Sequence, residues 1–210
     1  MRLLPYVFLL TLSAGSLQAQ LVTVGVKGGV PLTGDLDSVA ATSESKPYVV
    51  GPMITVGLPA GFRIEVDALY RRVAYRTSGA DILGGSFTER DTGNSWEFPI
   101  LARKSLFKLL YVGAGIAPRT VHGTAHANVI TVISPFGQRV FAEQTYPASW
   151  DDTVGIVAAA GIEKRFGHMR IAPEIRYTYW TKPSLDISGS HGFLVRSEQH
   201  QADFLLGITF

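Results

Sequence analysis

Apolar and polar residues alternate along short segments of this chain, and this period of two constrains the fold more than any other feature. The clearest segment is FRIEVDALYR (residues 62–71), in which Phe62, Ile64 and Val66 alternate with charged residues. Successive side chains of a β-strand point to opposite sides of its sheet, so alternation indicates a strand with one apolar and one polar face. We therefore predict an all-β protein.

Eight segments carry the pattern, and none of the connections between them is long and apolar enough for a membrane helix. An even number of antiparallel strands places both chain ends on the same side of a barrel. The predicted strands lie at residues 21–30, 49–58, 62–71, 95–103, 110–119, 153–164, 169–180 and 200–210.

The connections between these strands are short at one end of the predicted sheet and long at the other. Short turns read PAG, SLFK and RFGH, and the long connections are predicted at residues 34–47, 77–94, 123–152 and 183–199. Short turns on one side and long loops on the other are the layout of outer-membrane barrels. The sequence thus predicts an eight-stranded antiparallel up-and-down transmembrane β-barrel.

A soluble β-sandwich or lipocalin-like barrel would also alternate, but with its apolar face inward. The polar face here carries seven basic and six acidic residues, which suits a self-neutralising interior because buried charges must pair. Eight strands leave an interior just wide enough for side chains to fill. We predict that these thirteen residues form a charge network that plugs the lumen: Lys27, Arg63, Glu65, Asp67, Arg71, Glu97, Arg103, Arg119, Glu163, Arg170, Glu174, Arg176 and Asp203.

Aromatic residues lie near strand ends on the other, apolar face, as in the interfacial girdles of membrane barrels. The residues assigned to these girdles are Tyr70, Trp96, Tyr177, Tyr179 and Phe210.

Three strands resemble a known family. FLLGITF (204–210), YVGAGIAPR (111–119) and EIRYTYW (174–180) are similar to strands of small eight-stranded outer-membrane barrels, the group of OmpA-type transmembrane domains and opacity-type surface proteins. In that family a terminal aromatic after alternating apolar residues belongs to the signal that the assembly machinery reads. The resemblance implies this role for Phe204, Leu206, Ile208 and Phe210.

The first twenty residues, MRLLPYVFLLTLSAGSLQAQ, have a short basic start, an apolar core and a small-residue end. This pattern indicates a secretory signal peptide at residues 1–20, followed by a barrel domain at residues 21–210. We expect a monomer in the outer membrane, in contact with outer-membrane lipids and the assembly machinery. The net charge of +2 argues against binding of nucleic acid.

Catalytic signatures are weak. Some barrels of this size are lipid A deacylases with a His-x-Ser on a late strand, but the comparable stretch here, RYTYWTKPS, contains no His. The nearest spacing is His122-Gly123-Thr124, which carries Thr. The chain has no Cys, and its His residues lack the tight spacing of a metal site. We therefore predict no enzyme, no cofactor and no metal.

The long connections are better places to seek function. Residues 127–146 read as a hairpin that continues strands five and six beyond the bilayer, and residues 185–195 as a smaller protruding hairpin. The two either pack on each other or form a sticky rim with an unpaired strand edge that binds a surface ligand.

These observations leave a structural or surface-interaction protein as the first hypothesis. A narrow, porin-like channel for small solutes or ions is the alternative. A barrel-embedded lipid hydrolase is the third.

Overall fold

A computed structural model describes residues 22–38, 41–80, 85–107, 109–133, 138–148, 150–188 and 194–210. The predicted signal peptide lies outside these residues. No helix among them is long and apolar enough to cross a membrane.

Within the described residues the chain is almost entirely β-strand. The strands are β1 (Val22–Pro31), β2 (Leu36–Asp37), β3 (Ala41–Ser43), β4 (Val49–Gly57), β5 (Phe62–Asp67), β6 (Leu69–Ala80), β7 (Ser86–Glu97), β8 (Ile100–Ser105), β9 (Leu110–Ile133), β10 (Gln138–Pro147), β11 (Thr153–Ile162), β12 (Lys164–Phe166), β13 (Met169–Trp180), β14 (Asp186–Ser188), β15 (Leu194–Ser197) and β16 (His200–Thr209).

The sheet closes on itself. Its neighbour order runs β11-β13-β16-β1-β4-β5-β8-β9, and β9 pairs back with β11. All of these pairs are antiparallel, and β6 and β7 continue β5 and β8 beyond short breaks. The predicted eight-stranded antiparallel barrel is confirmed.

The three tight turns lie together at one end, which we call the short-turn end. Between β4 and β5 the chain turns at Pro59–Gly61, where Ala60 and Gly61 have φ of 60° and 74°. Gly167 turns the chain between β12 and β13 with φ of 61°, a conformation that glycine adopts without a steric penalty.

The opposite end, called the long-loop end, differs in part from the prediction. Residues 77–94 are predicted as a long connection, but β6 and β7 occupy most of them. The hairpin predicted at residues 127–146 agrees with the structure, in which β9 continues to Ile133 and pairs with β10. Residues 86–95 of β7 are mostly polar on both faces, so the apolar alternation that identified the lower strands is missing there.

Burial alternates along each barrel strand, and it shows which face is which. In β11 every second residue is buried, while Val154, Ile156 and Ile162 are 45%, 61% and 50% exposed on the outer wall. The charged residues of the eight barrel strands lie inside, except Lys104, which stacks on the exposed Phe62 at the short-turn end. This polarity is opposite to that of a soluble barrel, and it confirms the predicted assignment of faces.

Two small structures cover the long-loop end. A sheet in the order β10-β9-β7-β6-β3 rises from one side of the barrel, and we call it the outer sheet. A separate three-stranded sheet, β14-β15-β2, lies over the mouth. Its strands β14 and β15 belong to the predicted second hairpin, whose residues 189–193 lie outside the described residues. Leu185 and Val195 of this hairpin pack against Val73, Tyr75 and Val121 at the mouth.

Candidate functional site

The lumen holds all thirteen predicted charged residues, and each of them takes part in at least one ion pair. They fall into three layers along the barrel axis. The central cluster contains Lys27, Glu65, Asp67, Arg103, Glu174 and Arg176. The short-turn cluster contains Arg63, Glu163 and Arg170. The long-loop cluster contains Arg71, Glu97, Arg119 and Asp203.

Lys27 is the first hub of the central cluster. Its Nζ lies 2.5 Å from Glu65 Oε1, 3.3 Å from Asp67 Oδ2 and 3.4 Å from Glu174 Oε2. β1 supplies the lysine, β5 two of the carboxylates and β13 the third, so the pairs cross the lumen.

Arg176 is the second hub. Its guanidinium lies 3.0 Å from Glu65, 2.8 Å from Asp67 and 2.7 Å from Glu174. Arg103 also pairs with Glu65. Three cations and three anions thus neutralise one another at a site without solvent access, where an unpaired charge would carry a large desolvation cost.

Tyr111 completes this layer. Its hydroxyl donates to Glu174 Oε2 at 2.9 Å, and the Arg103 guanidinium stacks 3.5 Å from the centre of its ring. Glycines make room for these groups: a side chain at Gly161 would collide with the Tyr111 hydroxyl.

The long-loop cluster is also neutral. Arg71 lies 2.8 Å from Asp203 and 3.7 Å from Glu97, and Arg119 lies 3.9 Å from Glu97. Gln201 donates to Asp203 at 2.7 Å and to Glu97 of β7 at 3.4 Å, and the contact with Glu97 ties β16 into the cluster.

Trp180 and Gln201 belong to this layer, although the sequence interpretation missed them. Trp180 is completely buried, donates through Nε1 to Gln201 Oε1 at 3.0 Å, and has Arg119 stacked 3.8 Å from its ring. The sequence does carry a signal for Trp180. It lies four residues after Arg176 and six after Glu174 in β13, so alternation places all three side chains on the same face.

The short-turn cluster is more open. Arg63 lies 2.5 Å from Glu163, and Arg170 lies 3.9 Å from it, with all three side chains partly exposed. Arg103 reaches Glu163 at 3.5 Å and links this layer to the central cluster.

An apolar cap lies above the long-loop cluster. Its buried members are Val73, Tyr75, Val121, Leu185 and Val195, with Leu36, Ala41 and Trp150 packed against them.

The cap is joined to the lumen by polar contacts. Arg119 Nη2 donates to Ser184 Oγ at 3.2 Å, and Ser184 N donates to Ser197 Oγ at 2.8 Å. A cavity of about 20 Å³ between cap and cluster is lined by Arg71, Ser95 and other polar residues, which is room for about one water molecule.

Aromatic side chains form a ladder on the outer wall near the long-loop end. The ring centres of Tyr48 and Tyr70 are 6.4 Å apart, those of Tyr70 and Trp96 are 5.3 Å apart, and those of Trp96 and Phe98 are 6.5 Å apart. On the far side Tyr177 and Tyr179 contact His200. Rings at the edge of an apolar wall are typical of a membrane interface.

The four residues assigned to the assembly signal lie on β16 and just after it. Phe204, Leu206 and Phe210 face outward, with 42%, 40% and 67% of their surface exposed, and Ile208 is half-buried beside them. Phe210 N donates to Val24 O at 3.0 Å, which anchors the chain end to β1. Their part in assembly stays a prediction.

The outer sheet contains an acidic pair above the membrane wall. Tyr146 donates to Glu89, and this hydrogen bond is the main reason that the pKa of Tyr146 rises to about 12. Asp91 lies opposite Tyr75 and Ala125 in the sheet. Burial, helped by the charge of Glu89, raises the pKa of Asp91 to about 6.

The weak catalytic candidate lies on β9. His122 and Thr124 are both exposed on its outward face, and His122 Nδ1 lies 3.4 Å from Thr120 Oγ1. The strand predicted at residues 110–119 ends before His122, but β9 continues beyond it to Ile133. Within the described residues, no group of three His, Asp or Glu side chains could hold a metal ion.

Comparison with family models gives no match, and no curated protein matches. Among solved structures, Neisserial surface protein A is similar with 13% identity and a TM-score of 0.38 over 90% of this chain and 95% of that one. Ail of Yersinia pestis, solved in complex with the heparin analogue sucrose octasulfate, has 8% identity and a TM-score of 0.35 over 90% and 95%. The N-terminal β-barrel domain of Pseudomonas aeruginosa OprF has 15% identity and a TM-score of 0.35 over 92% and 98%.

The barrel's own features identify its setting. The strands close without an edge, the outer wall is apolar with an aromatic rim, and the charges are enclosed and paired. Only a membrane solvates such a wall, and closed barrels are the β-structures that span one. The chain is an eight-stranded β-barrel of the bacterial outer membrane.

Proposed function

We propose that this protein is a surface-interaction protein of the outer membrane, with a closed lumen and a binding surface on its outer sheet. The observation that carries the proposal is the length of β9. It has 24 residues, whereas a tilted strand needs about 9–11 to cross a bilayer.

The additional length lies outside the membrane. The segment beyond Thr120, at the level of the aromatic ladder, extends roughly 40 Å along the strand direction. β7 and β10 pair with it over most of this length, so the projection is an ordered sheet. A barrel that only spanned the membrane would not need this additional sheet.

The lumen supports the same proposal against the channel alternative. The central cluster is 0–3% exposed and pairs across the whole barrel width, and the apolar cap lies above it. Ion passage would require desolvated pairs to separate, which costs several kcal/mol per charge. We therefore propose that the paired charges plug the lumen.

Export and assembly are part of the proposal. Residues 1–20 would direct export, and Phe210 with the apolar residues of β16 would be read by the assembly machinery. The outward orientation of these side chains leaves them accessible before the barrel closes.

The test of function uses a shortened outer sheet. Thr131 through Val140 are removed and Ile130 is joined to Phe141 by Asn-Gly, which suits a two-residue hairpin because Ile130 and Phe141 are paired. Cells displaying either form are tested for adhesion to glass, to collagen-coated surfaces and to other displaying cells. Heat-dependent gel migration checks that both forms fold.

We expect the shortened form to fold and to lose adhesion. Equal adhesion of both forms would contradict the surface role. Steps of porin size from the purified intact barrel in a planar bilayer would contradict the plugged lumen and favour the channel.

A further inference from the structure

The strand β10 has one unpaired edge. It pairs with β9 from Gln138 to Pro147, and within the described part of the chain it pairs with no other strand. Every residue from 139 to 147 is exposed. The free edge therefore presents backbone N–H and C=O groups that a further strand can pair with.

The side chains of β10 divide between two faces. Tyr146 donates to Glu89, which lies on the inner face of the sheet, whereas Thr145 contacts His126 on the outer face at 3.0 Å. By alternation, Arg139, Phe141 and Glu143 stand on the outer face with Thr145. Phe141 is 64% exposed, which is unusual for an aromatic residue in water.

The order of these three residues is complementary to itself. We propose that β10 pairs antiparallel with β10 of a second copy of this chain, with Phe141 opposite Phe141 of that copy. Arg139 then stands opposite Glu143 of the second copy, and Glu143 opposite its Arg139. This inference rests on the proposed surface role and names the partner.

The inner face of β10 fits the same register. Val140 stands opposite Ala142 of the second copy, so apolar meets apolar. Oppositely charged and aromatic cross-strand pairs each stabilise antiparallel strands by about 0.2–1 kcal/mol. A parallel arrangement in register would instead place Arg139 opposite Arg139 and Glu143 opposite Glu143.

The direction of β10 determines where the second copy must be. In every copy β10 runs from the tip of the outer sheet toward the membrane. Two copies in one membrane present these strands in the same general direction, so their edges cannot pair antiparallel. Antiparallel pairing joins copies in two apposed membranes, and the contact is one of cell to cell.

The decisive experiment uses vesicles. Two vesicle populations carrying the protein are mixed, and their clustering is measured by light scattering. Arg139→Glu places like charges in both cross-strand pairs, and so does Glu143→Arg. We expect each variant to cluster with itself about tenfold less than the intact protein, since tenfold corresponds to about 1.4 kcal/mol.

Mixing the two variants gives the matched control. Arg139→Glu vesicles and Glu143→Arg vesicles bring opposite charges together again in both pairs, so we expect clustering between them to recover. A purely structural effect of either substitution would not be rescued by the other variant.

Disulfide cross-linking reads the register, because the chain contains no Cys. We expect Phe141→Cys to form a covalent dimer between vesicles, and Arg139→Cys to cross-link with Glu143→Cys but not with itself. Thr145→Cys is the negative control. Self-cross-linking of Arg139→Cys, dimers confined to single vesicles, or clustering unaffected by the charge changes would overturn the inference.

The experiments distinguish failure of the homotypic contact from failure of the proposed surface role. If displaying cells adhere to glass or collagen through the outer sheet but vesicles do not cluster, the homotypic contact is wrong and the surface role stands. If the shortened form adheres as well as the intact one, the surface role itself is wrong.

Discussion

The Nζ of Lys27 lies 2.5 Å from Oε1 of Glu65, and both side chains are enclosed by the barrel wall. Because Asp67 and Glu174 also surround this ammonium, loss of the lysine leaves three carboxylates facing two arginines. The pair therefore governs the charge balance of the central cluster.

We predict that Lys27→Met lowers the free energy of unfolding by about 3–5 kcal/mol, the usual cost of an uncompensated buried charge. The double variant Lys27→Met/Glu65→Gln should recover part of the loss because it restores neutrality. Denaturant titration in lipid vesicles measures both.

A matched control comes from the short-turn cluster. Arg63 is 27% exposed, so Arg63→Met should cost less than about 1 kcal/mol. A similar cost for Arg63→Met and Lys27→Met would show that burial does not set the strength of these pairs.

A second prediction tests the lipid-facing wall. Ile156 is 61% exposed in the middle of β11, whereas Val140 is 45% exposed in the outer sheet. Ile156→Arg should lower the free energy of unfolding in vesicles by about 2–4 kcal/mol, because lipid near mid-bilayer does not solvate the guanidinium. Val140→Arg should cost less than about 1 kcal/mol because water solvates the guanidinium there.

The same wall has a spectroscopic test. A nitroxide attached at position 156 should be relaxed strongly by oxygen, which dissolves in lipid, and weakly by a water-soluble nickel reagent. Strong nickel accessibility at position 156 would contradict the membrane position of the wall.

Alternation explains how far the fold could be predicted. It places Ile156 outside and Glu174 inside without any knowledge of pairing, because one face of each strand meets lipid and the other meets paired charges. Above the membrane both faces of a strand meet water or a polar neighbour, so segments such as 86–94 lose the signal and their sequence alone predicts a loop.

The candidate site could also be predicted only in part. Parity identified the charged residues of the lumen, because charge is rare on the lipid face. It did not identify their partners, since Lys27 and Glu174 lie 147 residues apart and meet only when the barrel closes. Trp180 was missed because an aromatic residue at a strand end fits the rim as well as the lumen.

A third prediction concerns pH and Asp91. Its pKa is raised from 3.8 to about 6, so the folded state binds this proton more tightly than the unfolded state. Stability of the outer sheet should therefore fall as pH rises from about 4 to about 6. Asp91→Asn removes this dependence and should stabilise the sheet at pH 8 by about 1–3 kcal/mol.

Hydrogen exchange of the β6, β7 and β9 amides beyond the membrane measures this effect. Intact protein and Asp91→Asn are compared at the same pH, so that intrinsic exchange cancels. Equal protection of the two proteins at pH 8 would contradict the prediction.

The last prediction concerns the chain end. Phe210 is 67% exposed at the short-turn end, so its ring contributes little packing to the finished barrel. Because we propose that this ring belongs to the assembly signal, Phe210→Asp should reduce the amount of barrel in the outer membrane more than tenfold. Export across the inner membrane should continue. Fractionation and heat-dependent gel migration measure the folded amount. Phe166→Asp is the matched control, because Phe166 is 48% exposed at the same end of the barrel but ends β12 and lies outside β16. We expect it to assemble normally, and Phe210→Tyr likewise, since it keeps the aromatic ring. If Phe210→Asp assembles as well as Phe166→Asp, the terminal aromatic is not a signal and its position reflects only the apolar wall.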